Sequence, residues 1–290
     1  MKIAVIIPAH CSPSVLLLTV GTLLRTHSQH DLTIHVGVHK NYSDYCADLS
    51  LFEELKRIAH IHLVDEIDWA EHNANLNRYS LMHSKNLENL FSQVRYYAFD
   101  YLLILDQDLF IKADLISEIL NRHPQADMLG AFFDDIADDM VPFQHSGDGA
   151  KLQRIPRMTP WCLLLSRRLY LEVLKDLTIL RPLEVHNQAD IHSICGHYTS
   201  TSDLPIFADT LALVAHRCRY SWGMKLGVEK VEKMEEWVHH FFAGSFNYGE
   251  WAIREKYGPH VEGISDIYKK TFPNGIAKER CPQCQQHPHS

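Results

Sequence analysis

Two aspartates one residue apart, Asp106 and Asp108, are the residues whose types and spacing most directly suggest chemistry. They follow an apolar run over residues 101–105, which is typical of a strand buried on both faces. In an extended chain residues i and i+2 point the same way, so both carboxylates can bind one hard cation together with the phosphates it carries. The alternative is that the two aspartates only cap the next helix or solvate a turn.

The elements around these aspartates predict an α/β sheet. Strands are expected over residues 2–8, 32–38 and 61–64, and helices over residues 15–25, 51–59 and 113–120. Ligands of open α/β sheets gather beyond the carboxyl ends of the strands. The end of the strand at residues 101–105 is therefore where a binding crevice is expected.

Composition bounds the class of protein. A chain of 290 residues with 46% hydrophobic content can bury a full core. Its net charge of -8, with no basic stripe, makes nucleic acid an unexpected partner, and an acidic protein that binds an anionic ligand needs a cation or local donors. Seven scattered cysteines are typical of a reducing compartment, and no apolar segment approaches the roughly 20 residues of a membrane span. We expect a soluble, cytoplasmic protein, and peripheral contact with the inner face of the membrane is left open.

The apolar strand, the Asp-x-Asp and the following helix resemble the same stretch of GT-A fold glycosyltransferases, closest to the inverting family-2 type. The resemblance covers most of residues 1–245 and implies a Rossmann-like α/β fold, with a mixed, mostly parallel sheet flanked by helices. It implies a nucleotide-sugar-binding half at 1–112, an acceptor-binding and metal-site-completing half at 113–250, and a C-terminal helical extension and tail at 251–290. The implied activity is sugar transfer from a nucleotide-diphosphate-sugar donor to an acceptor hydroxyl of a carbohydrate or glycoconjugate. The resemblance further implies inversion and a place in cell-surface polysaccharide or glycoconjugate synthesis.

The resemblance also assigns residues to the donor. In family-2 enzymes the first strand ends in a proline and the next loop cups the base, which residues 7–10 resemble. Asp44 matches the end of a family turn, but His39 and Lys40 replace the usual acidic pair ahead of it, so the base is left open. Lys85 stands where the family has an arginine facing the diphosphate. The expected donor-binding residues are Pro8, Ala9, His10, Asp44, Lys85, Asp106 and Gln107.

For the metal, the resemblance implies that a histidine late in the chain completes the site begun by the Asp-x-Asp. His239 and His240 are the candidates, and the sequence does not separate them because neighbours in a strand face opposite ways. Taking His240, the expected ligands of Mn²⁺ or Mg²⁺ are Asp106, Asp108 and His240. A histidine in the ligand set favours Mn²⁺.

For catalysis, the resemblance makes Asp209 the base that deprotonates the acceptor, because inverting members carry an acid ahead of an apolar helix. Asp190 and Asp203 are reserves, and the alternative for Asp209 is an ordinary aspartate at a helix N-terminus. Trp161 and Trp222 are predicted to bind the acceptor through an indole face, while burial in the core is an equal alternative for such a residue.

Two other functions are left open by the sequence. A metal-dependent nucleotidyltransferase shares the α/β core, but usually has a glycine-rich basic loop after the first strand, which residues 10–13 are not. A non-catalytic nucleotide- or carbohydrate-binding subunit would keep the fold without turnover. Cys281 and Cys284 have zinc-like spacing without the second half of a zinc ribbon. The sequence does not indicate the oligomeric state.

Overall fold

The computed structural model describes residues 1–9, 13–39, 49–65, 78–132, 141–144, 151–155, 157–185, 206–240, 267–273 and 276. The predicted residues His10, Asp44, Asp190, Asp203, Cys281 and Cys284 lie outside these ranges. The strands are β1 (Lys2–Ala9), β2 (Asp31–His39), β3 (His60–Val64), β4 (Tyr101–Leu105), β5 (Leu109–Ile111), β6 (Met128–Ala131), β7 (Val141–Gln144), β8 (Lys151–Arg154), β9 (Cys162–Ser166), β10 (Leu183–Val185), β11 (Ile206–Ala208), β12 (Leu226–Glu229) and β13 (Val238–His240). The helices are α1 (Pro13–Thr26), α2 (Leu49–Lys56), α3 (Arg78–Val94), α4 (Leu115–Arg122), α5 (Arg167–Val173), α6 (Ala212–Tyr220) and α7 (Val231–Trp237).

The central sheet has seven described strands in the order β12-β6-β9-β4-β1-β2-β3. Every neighbouring pair is parallel except those of β9, which runs antiparallel to both β4 and β6. The strands beside β4 are buried and apolar because helices cover both faces of the sheet. The predicted mixed, mostly parallel sheet flanked by helices is confirmed.

Helices pack on opposite faces of the sheet around β1 and β4. Side chains of α1 and α2 belong to one buried core, and those of α3, α5 and α6 belong to the core on the other face. The connection from β1 leads through α1 to β2, while the connection from β3 leads through α3 to β4. The order of strand addition thus reverses between the parallel neighbours β1 and β4, and ligands of such sheets bind at the point of this reversal.

Two smaller sheets lie beyond the central one. The strand β5 follows the two aspartates and pairs antiparallel with β13. A four-stranded sheet has the order β10-β11-β8-β7. The glycines of residues 144–150 predict a mobile connection, but its first residue, Gln144, belongs to β7, which pairs antiparallel with β8.

Some predicted boundaries change. The second helix ends at Lys56 rather than 59, because the chain turns there before β3. Within the tail, residues 267–271 are helical, and Tyr268, Phe272 and Ile276 are buried in the same core as α1. In the part of the chain that is described, no helix combines the length and the apolar character needed to cross a bilayer.

Candidate active site

The turn that carries Asp106 and Asp108 is fixed from two sides. The amide of Asp106 donates a hydrogen bond to the carbonyl of Trp161, 3.0 Å away, just before β9. The fully buried hydroxyl of Thr19 in α1 contacts the turn from the other side. It lies 2.6 Å from the carbonyl oxygen of Gln107 and accepts a hydrogen bond from the amide of Leu109 at 2.9 Å. Because this hydroxyl binds the backbone on both sides of Asp108, it sets the direction of that side chain.

A strand from late in the chain brings a histidine to the same place. In the β5–β13 pair, His240 lies opposite Leu109, the residue after Asp108. The imidazole of His240 stacks on the indole of Trp161, with ring centroids 5.4 Å apart and planes inclined by 28°. His239 is exposed, as the alternation of a strand requires. The structure therefore directs His240, and not His239, towards the two aspartates.

Asp106, Asp108 and His240 form a cluster that could hold a metal ion, with one ligand atom from each lying within 4.8 Å of the others. The Nε2 atom of His240 lies 3.2 Å from Asp108 Oδ1 and 3.8 Å from Asp106 Oδ2. Asp108 is fully buried, and its Oδ2 atom has no hydrogen-bond partner among the described residues. An unsatisfied buried carboxylate oxygen is costly, and a cation removes that cost. Two carboxylates and one imidazole suit Mn²⁺ or Mg²⁺, so the residues present fit a divalent ion.

The protonation equilibria of the cluster reflect crowded, buried charge. Burial raises the pKa of Asp106, although His83 and His240 oppose this shift. Burial would lower the pKa of His240, but its hydrogen bond to Asp108 and the charges of both aspartates raise the pKa above its ordinary value. Both groups therefore hold a proton more readily than usual. A bound cation would take the place of these protons.

A second group of charged side chains adjoins the first. The Nη1 atom of Arg157 lies 2.6 Å from Oδ2 of Asp209, and these side chains are 17% and 12% exposed. Asp209 follows β11 directly, and its Oδ1 accepts a hydrogen bond from the amide of Thr210 at 2.7 Å. The Nδ1 atom of His83 lies 3.9 Å from Asp106 Oδ1. Burial lowers the pKa of His83 below its ordinary value, although the charge of Asp106 opposes this shift.

Two donor predictions need correction. Lys85 is exposed on α3, and its Nζ lies 3.9 Å from Glu88, whose carboxylate also binds Arg181. The helix presents His83 to Asp106 instead, because residues two apart in a helix point to different sides. The side chain of Gln107 is fully buried, so it offers no group to an incoming donor, and its carbonyl holds the turn through Thr19.

Both acceptor predictions also need correction. Trp161 is 3% exposed and packs against His240, so its indole offers no open face to a sugar. Trp222 follows the end of α6, where its amide binds the carbonyl of Arg217. Three residues later, Lys225 bonds to Asp127 at the start of β6. That is the edge of the sheet opposite Asp106, so α6 has carried Trp222 away from the site.

Of the other predicted donor-binding residues, the two that the structure describes lie at the expected edge of the sheet. Pro8 and Ala9 end β1, next to β4. The side-chain amide of Asn86 donates to the carbonyl of Gly37 at 2.8 Å and approaches that of Ala9 at 3.4 Å, which ties the ends of β1 and β2 together. A Cβ atom at residue 37 would lie 1.7 Å from Asn86 Oδ1, so this contact requires glycine.

Sequence reasoning missed Thr19, His83 and Arg157 as residues of the site. The spacing of His83 and Asn86, three apart on α3, was a usable signal that both face the sheet. Thr19 and Thr22, also three apart in an apolar helix, signal hydroxyls turned towards a buried partner. For Arg157, no local pattern indicates that its partner is Asp209, fifty-two residues later.

Comparisons with known proteins return structures but no sequence family. No family model and no curated protein matches the chain. The galactosyltransferase LgtC, in complex with donor and acceptor sugar analogs, is 12% identical, with 77% of this chain and 72% of that chain covered and a TM-score of 0.40. Mouse xyloside xylosyltransferase 1 is 11% identical, with 79% and 85% covered and a TM-score of 0.40. The 4-diphosphocytidyl-2C-methyl-D-erythritol synthase from Anaerococcus prevotii is 12% identical, with 72% and 90% covered and a TM-score of 0.36. Function is therefore inferred from the side chains of the site.

Proposed function

We propose that this protein is a metal-dependent glycosyltransferase that moves a sugar from a nucleotide-diphosphate-sugar donor to an acceptor hydroxyl. The observation that supports this function best is the convergence of Asp106, Asp108 and His240 where β4 ends beside β1. Two carboxylates at that position would repel a diphosphate unless a cation lay between them. A bound divalent ion would supply Lewis-acid stabilisation of the negative charge that develops on the departing diphosphate.

The residues of the chain have separable roles in this proposal. Asp106, Asp108 and His240 would hold the ion. Trp161 contacts two of these ligands, Asp106 and His240, and so helps to orient them. Its carbonyl binds the Asp106 amide, and its ring packs on His240. The ends of β1 and β2, which Asn86 joins, would lie beside the nucleoside of the donor. Mn²⁺ is favoured over Mg²⁺ by the imidazole ligand.

Asp209 is proposed as the base for the acceptor. It would accept the proton as the O–H bond of the acceptor breaks and the acceptor oxygen bonds to the anomeric carbon. The bond from that carbon to the donor phosphate breaks in the same step, and its electron pair leaves with the nucleoside diphosphate. Attack from the face opposite the leaving group inverts the anomeric centre. The side chain of Asp209 is 12% exposed, and its charge acts on His83, the neighbour of Asp106, so its carboxylate lies near the cluster.

The setting of the reaction is part of the same proposal. The sugar and base of the donor are left open, and the acceptor is a carbohydrate or glycoconjugate. Synthesis of cell-surface polysaccharide or glycoconjugate in the cytoplasm, at the inner face of the membrane, is the setting that the Asp-x-Asp resemblance supports. The proposed division into donor and acceptor halves at residue 112 is consistent with β5, which follows the aspartates and leaves the central sheet.

A product assay tests the function. The purified chain is incubated with a panel of nucleotide sugars and simple acceptors, with Mn²⁺ or with a chelator. Nucleoside diphosphate released only with metal supports the proposal. Pyrophosphate released from nucleoside triphosphate and sugar phosphate would replace it with nucleotidyl transfer, and metal-dependent binding without any product would indicate a binding subunit.

Matched variants link the product to the site. Asp108→Asn should abolish the metal-dependent release. Asp100→Asn serves as the control, because Asp100 precedes the same strand β4 at its opposite end and binds the amide of Lys2.

A further inference from the structure

The ion pair of Arg157 and Asp209 has a different position from the pair of Arg168 and Asp127, which links strands of the central sheet. Asp127 binds Arg168, Ser166 and the Lys225 amide, and so joins β6, β9 and the segment before β12. The pair of Arg157 and Asp209 instead joins the segment after β8 to the residue after β11, and both side chains are largely buried, at 17% and 12% exposure, whereas Arg168 is 60% exposed. It is placed to exchange partners with a ligand.

Charge balance around the cluster points to an anion for Arg157. The carboxylates of Asp106, Asp108 and Asp209 face one arginine, so two negative charges remain when the histidines are neutral. A divalent ion neutralises these charges, and a diphosphate then adds new negative charge to a partly buried site. Arg157 lies near the cluster because its partner Asp209 precedes Thr210, whose hydroxyl donates a hydrogen bond to the carbonyl of Ser80 on α3, one turn before His83. Lys85, expected to have this role, points to Glu88.

We propose that Arg157 is the diphosphate-binding residue, and that it leaves Asp209 when the donor binds. This inference rests on the glycosyltransferase function proposed above. The planar guanidinium can form two parallel hydrogen bonds to phosphate oxygens as it does to a carboxylate, so the exchange keeps its bonding. Its departure frees the carboxylate of Asp209 to accept the proton of the acceptor. Donor binding thereby prepares the base, and Asp209 stays neutralised while no donor is bound.

If Arg157 exchanges Asp209 for the diphosphate, replacing Arg157 and replacing Asp209 should have different effects on the affinity for a nucleoside diphosphate. Arg157→Met should weaken binding of a nucleoside diphosphate, measured with Mn²⁺ present, by about ten- to a hundredfold, the worth of charge-assisted hydrogen bonds. Asp209→Asn should leave this affinity unchanged or raise it, because the arginine no longer has to leave a carboxylate. Asp209→Asn should also lower kcat without raising the KM for the donor. If the pair were only a structural link, both variants would weaken binding alike.

The experiment uses isothermal titration of the full chain with Mn²⁺ alone, and with nucleoside diphosphates in the presence of Mn²⁺. Arg157→Lys, which keeps the charge and loses the two-pronged geometry, should fall between wild type and Arg157→Met. Arg168→Met removes an arginine from the opposite edge of the sheet and should change the affinity less than twofold. Thermal unfolding of each variant shows whether it is folded. Even where Arg157→Met is less stable, the ratio of the nucleoside diphosphate affinities of Arg157→Lys and Arg157→Met gives the test.

The possible outcomes distinguish a failure of the Arg157 exchange from a failure of the glycosyltransferase proposal. Tight Mn²⁺-dependent binding by wild type that is unchanged in Arg157→Met would overturn the exchange and leave the glycosyltransferase proposal standing. Equal losses in Arg157→Met and Asp209→Asn would also overturn the exchange. Absence of any Mn²⁺-dependent binding of nucleoside diphosphates by wild type would overturn both.

Discussion

Replacing Asp108 by asparagine should remove metal-dependent stabilisation while leaving the metal-free protein folded. Asp108 is fully buried, and its Oδ1 lies 3.2 Å from His240 Nε2. Asparagine has the same shape and keeps an oxygen that can accept this hydrogen bond. It lacks the negative charge that a divalent ion requires. The apparent melting temperature of Asp108→Asn without metal should therefore stay close to that of wild type.

The size of the lost stabilisation follows from mass action. Metal at a hundred times its Kd stabilises the folded protein by about 2.7 kcal/mol. With an unfolding entropy of about 2.1 cal/mol/K per residue, the 290 residues have roughly 0.6 kcal/mol/K in total. Wild type should then melt about 4 to 5 °C higher with Mn²⁺ than with chelator. Asp108→Asn should show less than about 1 °C of this difference, since one of the three protein ligands has lost its charge.

Thermal shift with and without Mn²⁺ measures both quantities in one plate. Asp100→Asn, at the other end of the same strand, is the matched control and should keep the full metal effect. An equal Mn²⁺ effect in wild type and Asp108→Asn would refute the reasoning, and so would a wild type that does not respond to metal at all.

Three further predictions concern the histidines and the buried threonine. His240→Ala should lower Mn²⁺ affinity by at least about tenfold by calorimetry, whereas the exposed His239→Ala should change it less than twofold. Thr19→Val keeps the side-chain shape but loses the hydroxyl that binds Gln107 and Leu109. It should lower the free energy of unfolding in urea by about 1 to 3 kcal/mol and weaken Mn²⁺ binding. Burial, helped by two neighbouring histidines, lowers the pKa of His35 from 6.5 to about 3. The unfolded chain thus binds a proton that the folded chain does not. Stability should fall as pH drops from about 6.5 towards 4, by up to about 1.4 kcal/mol per pH unit from this group.

Controls separate these effects from general damage. Thr26→Val removes a hydroxyl from the end of the same helix, whose partners among the described residues lie within α1 and at the adjacent His27, and should leave Mn²⁺ affinity unchanged. Equal losses of metal affinity in Thr19→Val and Thr26→Val would contradict the role given to Thr19. For His35, the His35→Leu variant should show a shallower loss of stability with acid than wild type, and parallel curves would contradict the assignment of the proton to this residue.

The strand with its two aspartates was predictable because its signals are local. An apolar run fixes β4, and the two-residue repeat of a strand fixes the shared direction of Asp106 and Asp108. The direction of β9 was not predictable, since an apolar run suits a buried strand of either orientation. The late histidine could be narrowed to two by resemblance, and only the pairing of β13 with β5 separates them.

The parts of the site that the sequence did not reveal depend on helix rotation and on long-range contacts. A helix turns about 100° per residue, so a shift of two positions along α3 exchanges a side chain that faces Asp106, His83, for one in solvent, Lys85. Thr19 looked like an interruption of an apolar helix, and its function depends on a turn far along the chain. The tryptophans show the same limit, because an indole that closes a core and one that stacks on a sugar have the same sequence signature.

Direct measurement of Mn²⁺ binding to the metal-free full chain by electron paramagnetic resonance tests the central claim. Nitrogen hyperfine coupling from one imidazole is the signature of His240 in the ligand shell. We predict that the wild type binds one Mn²⁺ tightly and shows this coupling. In His240→Ala the coupling should be absent, and Asp108→Asn should not bind the ion tightly. A wild-type protein that binds no Mn²⁺, or a bound ion whose spectrum is the same in all three proteins, would contradict the assignment of the site.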